Sequence, residues 1–306
     1  MIIVVKLLQL LSHLPLGVLY VLSSCCYPIV YYVVRYRRHV VRTNIENSFP
    51  EKSEAERRKI ERDFYRFFCD YTVETIKLIS MSADEMRRRM VVEGMDEIGE
   101  SLKTHPFAFI YLGHYCNWEW ISSMPLWRKP GTYHCGQLYR PLKNKAIDDM
   151  FFKLRTRFEA ENISKYDSLR RILTLKKEGT PTVIGFISDQ SPRPNSIHDW
   201  VDFFHQETPV FTGTERIAKK VNASIYFADV QRVKRGYYKL HLRPITEDVR
   251  SYPDYKITEI YMQELEKMIK RQPHLWLWSH KRWKHRREDV EKMQDQMAKK
   301  DNSKNA

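Results

Sequence analysis

The sequence has few cysteines and no pattern that would use them as a framework. Its 306 residues include five cysteines, an odd number, and no two of them form a C-x-x-C pair. Neither a disulfide framework nor a zinc ribbon is therefore predicted. The H-E-x-x-H pattern of zinc proteases is absent too, so a site of that type would lack its second histidine. The simplest interpretation is an intracellular protein with reduced thiols, no metal and no cofactor.

Long apolar stretches are also scarce, which excludes a polytopic membrane protein. The mean hydropathy is -0.56, and one uncharged stretch, residues 7–34, stands out. As a continuous helix it would extend about 42 Å, more than the hydrocarbon core of about 30 Å. We therefore predict a membrane anchor with a basic flank over residues 1–40. Pro15 and Pro28 leave open an anchor that enters the membrane only partly or lies in its surface.

The charges that flank this stretch predict its orientation. One lysine, Lys6, precedes it, whereas four arginines follow it: Arg35, Arg37, Arg38 and Arg42. By the positive-inside rule, the rest of the chain then lies in the cytoplasm. A cleaved signal peptide is the alternative, and the length of the apolar run and the lack of a small-residue cleavage site argue against it.

Acidic residues are outnumbered by basic ones. The 52 Lys and Arg against 38 Asp and Glu give a net charge of +14, which favours anionic partners: an acidic membrane face, an acidic carrier protein or nucleic acid. Trp276, Trp278 and Trp283 alternate with cations, as in a base-stacking surface. Because the charge is spread over the chain and no nucleic-acid-binding motif is present, we predict no nucleic acid partner.

Beyond the anchor, the pattern predicts one α/β domain over residues 41–285. Ser53 with Glu56, and Ser82 with Glu85, have the spacing of capping boxes, which start helices. Strands are predicted at 107–112, 182–187, 224–230 and 237–242, and helices at 143–157, 167–177 and 213–221. This alternation predicts an α/β fold with a mixed central sheet flanked by helices. The charged tail, residues 286–306, is expected to be a fraying helix or a solvated end.

The chemistry concentrates where the first predicted strand ends. The strand runs into Gly113 and His114, and Glu119 follows five residues after the histidine. Strand ends are where α/β proteins place their sites. A histidine is held as a general base when a carboxylate accepts the N–H of its other ring nitrogen. We predict that His114 is such a base and that Glu119 orients it; a histidine with only structural hydrogen bonds is the alternative.

Four blocks of sequence point to one family. Leu112 to Glu119 resembles the H-x-x-x-x-D/E signature of the lysophospholipid and glycerolipid acyltransferases, and its Glu form is similar to the late acyltransferases of lipid A biosynthesis. Further blocks follow in the family's order: Tyr139-Arg140-Pro141 with Asn144, Asp148 and Arg155; Gly185 to Gln190; and Trp276 to Lys284, which includes His280 and Arg282. With the predicted anchor, the resemblance covers nearly the whole chain.

The resemblance implies a membrane-associated O-acyltransferase of the bacterial inner membrane. Its donor would be an acyl thioester of acyl carrier protein, and its acceptor a hydroxyl of an anionic lipid, most simply a lipid A precursor. His114 would deprotonate the hydroxyl while Glu119 holds the ring. Another lysolipid or an amino-acid-linked lipid as acceptor, and a catalytically inert membrane scaffold, are the alternatives.

The same resemblance implies binding residues. Arg140 and Arg155 are expected to bind the anionic headgroup, and the alternative for both is a solvated surface charge. Asp189 and Gln190 would border the cleft of His114, unless they cap the proline-rich turn that follows. Cys116 is interpreted as a small apolar filler, with a covalent nucleophile as the alternative.

Other positions concern the basic surface and the family pattern. Lys281, Arg282 and Lys284 are expected to meet lipid headgroups. His205 stands where the family usually has glycine after two aromatic residues, so the sequence departs from the family pattern at this turn. Glu215 interrupts an F-x-x-G-T-R pattern that holds phosphate in glycerolipid acyltransferases, so the sequence departs from that pattern too.

Overall fold

The computed structural model describes residues 2–304, and the side chains of residues 3–297. The helices, in chain order, are α1 Ile2–Ser12, α2 Leu16–Pro28, α3 Arg38–Ser48, α4 Glu54–Leu78, α5 Ala83–Arg89, α6 Met95–Ser101, α7 Lys145–Thr156, α8 Ser168–Lys177, α9 Gly213–Val221, α10 Lys256–Arg271 and α11 Arg287–Lys304. The strands are β1 Met90–Glu93, β2 Phe107–Leu112, β3 His134–Tyr139, β4 Glu161–Ser164, β5 Thr182–Ile187, β6 Trp200–Phe203, β7 Gln206–Pro209, β8 Ser224–Lys234 and β9 Tyr237–Thr246. A π-helix, Ile29–Val34, continues α2, and a 3-10 helix, Trp120–Trp127, follows β2.

A seven-stranded sheet forms the centre of the protein. Its strand order is β1-β9-β8-β2-β5-β3-β4, and β6 and β7 form a separate hairpin. The β8–β9 pair is antiparallel and the other pairs of the large sheet are parallel. All six residues of β2 are buried, as expected for a strand covered on both faces. The prediction of an α/β fold with a mixed sheet flanked by helices is confirmed.

The register assigns the helices to two faces. Tyr111 of β2 stacks on Tyr261 of α10, whereas Tyr139 of β3 packs edge-on against Phe152 of α7. Tyr111 pairs with Phe186 in the parallel register, and the preceding Gly185 pairs with Gln137. Because side chains alternate along a strand, Gly185 faces the α7 side of the sheet and Phe186 faces the α10 side.

The N-terminal stretch is broken rather than continuous. Helix α1 ends before Pro15, and the buried ammonium of Lys77 donates to the carbonyl oxygens of Ser12 and Leu14, each at 3.1 Å. Helix α2 and the π-helix together give Leu16–Val34, a segment long and apolar enough to cross a membrane. The uncharged stretch is therefore not one continuous helix: it breaks at Pro15, one of the two prolines that the sequence singles out.

One side of this N-terminal segment packs on α4. Tyr20 donates to Glu74 at 2.8 Å, Ser23 to Asp70 at 2.7 Å and Tyr31 to Glu61 at 3.2 Å. The opposite side is apolar and exposed, with Val21 63% and Val33 75% accessible. The segment is therefore amphipathic in its packing, although its sequence is almost uncharged.

Most of the predicted helix and strand boundaries are confirmed. Of the two predicted capping boxes, one is complete and the other is partial. Ser53 and Glu56 form a complete capping box at the start of α4, whereas at α5 only the amide of Glu85 bonds Ser82. Strands β8 and β9 run farther than predicted, to Lys234 and Thr246. The described part of the charged tail forms helix α11, Arg287–Lys304.

Both departures from the family pattern have structural explanations. Phe204 and His205 form the two-residue turn of the β6–β7 hairpin with φ of 54° and 58°, so His205 adopts the left-handed conformation that glycine adopts more easily. Glu215 is buried and accepts hydrogen bonds from the amides of Tyr255 and Thr258 at 2.8 Å. It thus caps the start of α10.

Candidate active site

His114 lies just beyond the carboxyl end of β2, where Asp189 follows the end of β5. Leu112 pairs with Ile187 in the parallel register, and each side chain lies two residues farther along its own strand. The register therefore brings the two groups to the same level of the sheet. Gly113 allows the close packing there, because a Cβ at this position would lie 2.7 Å from Leu265.

The carboxylate that holds His114 is that of Asp189. Oδ1 lies 2.6 Å from His114 Nδ1, and Oδ2 accepts hydrogen bonds at 2.8 Å from the His114 amide and from the Trp276 indole. Burial alone would raise the pKa of Asp189, but the charge of His114 and the bonds from His114 and Trp276 lower it to about 2. Asp189 is thus ionised at neutral pH, and Nδ1 carries the shared proton.

The structure corrects the prediction that Glu119 orients His114. Glu119, 4% exposed, accepts a bidentate pair from Arg155, with Nε at 2.8 Å and Nη2 at 2.6 Å. The loop from Gly113 turns sharply, with Cys116 at φ 53°, and Glu119 immediately precedes the 3-10 helix that follows. Glu119 therefore points toward Arg155 of α7, and Asp189 is the carboxylate that bonds Nδ1 of His114.

The other ring nitrogen of His114 faces the open site. Gln190 Nε2 lies 3.2 Å from His114 Nε2, so with the proton on Nδ1 this nitrogen is an acceptor. Trp118 packs edge-on against the imidazole with ring centroids 5.2 Å apart, and Tyr71 stacks on Trp118. The ring is therefore fixed on two sides, and its acceptor nitrogen points toward a cavity.

That cavity has a volume of about 690 Å³ and is bordered by His114, Glu119, Arg155 and Gln190. Its apolar part lies between the α7 face of the sheet and the 3-10 helix, and is lined by Leu112, Ile121, Met124, Pro125 and Gly185. Gly185 presents no side chain to this space. Pockets of this size with few polar groups are typical of small-molecule sites.

The mouth of the cavity is basic. Arg140 lines it as an exposed side chain, and so do Lys165 and Arg193. Arg140 was predicted from the sequence, whereas Lys165 and Arg193 were not. Their positions, after β4 and after Asp189-Gln190, are the signals that could have identified them, because loops at the carboxyl ends of parallel strands meet at one edge.

The two arginines predicted to bind the headgroup have different environments. Arg140 stays available at the mouth, whereas the charge of Arg155 is already compensated by Glu119. Burial alone would lower the pKa of Arg155, but the attraction and hydrogen bonds of the Glu119 carboxylate outweigh burial, so the pKa of Arg155 is raised. Asn144 caps the start of α7 and Asp148 accepts from the Leu142 amide at 2.8 Å, so both shape the loop of Arg140.

The C-terminal block supports the site from behind. The amides of Cys116 and Leu277 bond the carbonyl oxygens of Leu275 and His114, each at 3.0 Å. His280 accepts from the Ser191 amide at 3.2 Å, and burial lowers its pKa to about 4, which keeps it neutral.

Two side chains near the site are completely buried. Arg282 is 0% exposed and donates to the Pro209 carbonyl oxygen at 2.8 Å, so the prediction that it meets lipid headgroups is wrong. Cys116 is also 0% exposed, and burial raises the pKa of its thiol well above the usual value. A protonated, inaccessible thiol is a poor nucleophile. Among the side chains that the structure describes, those of residues 3–297, no group of three or more His, Cys, Asp or Glu could hold a metal ion.

Comparison with known proteins agrees with this architecture. The family described as bacterial lipid A biosynthesis acyltransferase matches residues 1–285. The chain is 24% identical over 290 residues to the lipid A biosynthesis palmitoleoyltransferase of Escherichia coli K12, covering 90% of this chain and 92% of that protein. It is 26% identical over 296 residues to the lipid A biosynthesis lauroyltransferase of the same strain, covering 92% and 93%. The chain therefore belongs to the bacterial lipid A biosynthesis acyltransferase family and is an acyltransferase.

Proposed function

We propose that this protein transfers a fatty acyl chain from acyl carrier protein to a hydroxyl of a lipid A precursor, with His114 as the general base. The observation that carries the proposal is the Asp189–His114 pair, whose histidine borders an apolar cavity. Asp189 holds the proton of Nδ1 and leaves the Nε2 lone pair facing the cavity. A base of this kind needs no covalent enzyme intermediate.

The chemical step balances with these groups. The acceptor hydroxyl takes the place of the Gln190 amide at Nε2 and gives its proton to His114 as its oxygen attacks the thioester carbonyl. The imidazolium that forms is stabilised by the ionised Asp189. Collapse of the tetrahedral intermediate breaks the C–S bond, and His114 returns the proton to the leaving sulfur.

The two ends of the cavity suit the two ends of the substrates. The acyl chain lies in the apolar part, over Gly185. The anionic headgroup of the acceptor meets Arg140, Lys165 and Arg193, because guanidinium and ammonium groups bind phosphate.

The Gly185→Leu variant tests this placement of the acyl chain. Because the added side chain would occupy the apolar part of the cavity, we expect it to reduce transfer of the longest acyl chains about tenfold and to leave transfer of shorter chains unchanged. Equal rates for all chain lengths would place the acyl chain elsewhere.

The function is tested by acyl transfer with purified components. We expect wild type to acylate a lipid A precursor from acyl carrier protein, and folded His114→Ala to have no measurable turnover. Cys116→Ala is the matched control on the same loop and should stay active. Activity in folded His114→Ala would exclude the mechanism, and inactive but folded Cys116→Ala would support a covalent route.

The donor is tested in the same assay by changing the salt concentration. Acyl carrier protein is acidic and would dock on exposed Lys and Arg. Salt should then raise its KM much more than it lowers kcat, because surface charges are screened over about 8 to 10 Å. An unchanged KM, or equal use of acyl-CoA, would show that docking on a basic surface does not select the donor.

We further propose that the exposed apolar side of residues 3–34 lies in the inner membrane and keeps the active site on the cytoplasmic side. Support comes from the hydrogen bonds of Tyr20, Ser23 and Tyr31 to α4, which tie the segment along the body of the protein. Such packing favours an anchor in the membrane surface over one that leaves the body at a right angle.

The flanking arginines have mixed roles in this arrangement. Arg38 and Arg42 bond Glu61, and Arg37 bonds the Ser279 carbonyl oxygen, whereas Arg35 is exposed. Fewer of them than the sequence suggests are therefore available to lipid headgroups. Flotation of the full chain with anionic vesicles tests the membrane association, and recovery in the soluble fraction would contradict it.

A further inference from the structure

A buried carboxylate on α4 lies outside the catalytic pair and joins three parts of the protein. Glu74 is 0% exposed. It accepts hydrogen bonds from the hydroxyl of Tyr20 at 2.8 Å, the amide of Asn117 at 2.7 Å and the hydroxyl of Tyr238 at 2.7 Å. A buried carboxylate is costly unless its oxygens are bonded. Its three donors come from α2, from the loop that carries His114, and from β9.

Asn117 is the contact that links Glu74 to the chemistry. It lies between His114 and Glu119, and its side-chain oxygen accepts from the Trp120 amide at 3.2 Å. The indole of Trp120 in turn donates to the Glu74 carbonyl oxygen at 3.1 Å. Glu74 therefore holds both the middle of the loop and the start of the 3-10 helix.

The loop needs such an external support. Cys116 has a left-handed backbone, with φ 53°, which is unfavourable for a residue other than glycine. Strained segments persist only when their surroundings fix them. A shift of the loop would move the imidazole relative to Asp189, which belongs to a different strand.

We propose that Glu74 is a positioning residue that holds the His114 loop in its reactive geometry and makes turnover depend on the docking of α2 through Tyr20. The proposal rests on the proposed acyl transfer, since its main measurement is kcat. Glu74 does not line the cavity that borders His114, so it acts through Asn117 and not on the substrates.

The chain offers a matched pair of variants. Tyr20→Phe removes the bond from α2 to Glu74, and Ser23→Ala removes the neighbouring bond from α2 to Asp70, at 2.7 Å. Both delete one hydroxyl between the same two helices, but only Tyr20 connects to the catalytic loop. We expect similar small losses of thermal stability in both variants.

Their activities should differ. Small misplacements of reacting groups have large effects on rate, so Tyr20→Phe should lower kcat about tenfold and change KM for the donor less than twofold. Ser23→Ala should keep kcat within about twofold of wild type. Equal kcat values for the two variants would overturn the proposal.

A double-mutant cycle makes the test independent of stability. Asn117→Ala removes the bond between the loop and the Glu74 carboxylate, which is the group that Tyr20 contacts, so adding Tyr20→Phe to it should lower kcat no further. Additive losses would show that Tyr20 acts by another route and would overturn the proposal. If wild type itself transfers no acyl chain, the proposed function fails; if wild type is active and the cycle is additive, only this inference fails.

Discussion

Two buried carboxylates, Asp189 and Glu119, belong to the candidate site, and each is bonded to a partner of a different kind. Asp189 bonds an imidazole and its backbone amide, whereas Glu119 bonds a guanidinium. Both are nearly completely buried, at 2% and 4% exposure. Asp189 is thus paired with the group that accepts a proton in the proposed reaction, whereas Glu119 is paired with a group that keeps its charge.

This difference separates a catalytic effect from a structural one. An ionised carboxylate on Nδ1 fixes the tautomer and stabilises the imidazolium, which acts mainly on the transition state. A buried carboxylate on arginine compensates a permanent charge, which acts on folding. Variants at the two positions should therefore differ in the ratio of lost activity to lost stability.

The largest effect is expected for Asp189→Asn. The amide can present its N–H to Nδ1 and favour the wrong tautomer, which in a comparable His–carboxylate pair costs about 10⁴ in kcat. We expect a loss of about 10³ to 10⁴ in kcat with the protein still folded. Steady-state kinetics together with circular dichroism measure this, and a loss smaller than tenfold would remove Asp189 from the mechanism.

Glu119→Gln should give the opposite ratio. The variant leaves Arg155 charged and without its carboxylate. Because Arg155 is partly exposed, we expect the free energy of unfolding to fall by about 2 to 3 kcal/mol, less than for a fully buried ion pair. Activity should fall by about ten- to a hundredfold, since the cavity wall around His114 shifts. Urea unfolding and kcat of the same preparation give the two numbers.

The double variant is the control for this prediction. Adding Arg155→Gln to Glu119→Gln removes the unpaired charge, so the free energy of unfolding should recover in part. If the double variant is less stable than either single variant, Glu119 does not stabilise the protein through its ion pair with Arg155. If Glu119→Gln loses as much kcat as Asp189→Asn at full stability, Glu119 has a direct role in the chemistry.

The same comparison shows what the sequence could and could not predict. The strand before His114, the strand before Asp189 and the start of α4 are encoded by local patterns, and their bounds were predicted closely. The partner of His114 depends on the parallel register of β2 with β5, which joins residues 75 positions apart. The spacing of residues along the chain therefore predicts Glu119 as the partner, because it contains no information about the strand register.

The N-terminal stretch shows the same limit for packing. Uncharged composition identified it, and Pro15 indicated where it breaks. Its docked side is defined by Tyr20, Ser23 and Tyr31, whose partners lie on a helix 30 to 54 residues away. Hydropathy treats these residues as part of an apolar run, so only the structure separates the docked side from the exposed one.

The smallest expected effect is the acid dependence of the Asp189 contribution. The pKa of Asp189 is lowered from 3.8 to about 2 by folding, so its stabilisation is complete above pH about 4 and is lost as the pH falls through about 2, an effect of about 2 kcal/mol. Asn binds no proton in this range. The difference in unfolding free energy between wild type and Asp189→Asn should therefore shrink by about 2 kcal/mol from pH 4 to pH 2, as urea unfolding would measure.

Asp199 is the control for the sign of this effect. Burial raises the pKa of Asp199, so its charge destabilises the fold at neutral pH and this penalty disappears on acidification. Asp199→Asn should accordingly be more stable than wild type at pH 7 and lose that advantage as the pH falls, opposite in sign to Asp189→Asn. A difference between wild type and Asp189→Asn that stays constant from pH 5 to pH 2 would mean that the His114 pair does not hold Asp189 ionised, and the comparison with Glu119 would then rest on geometry alone.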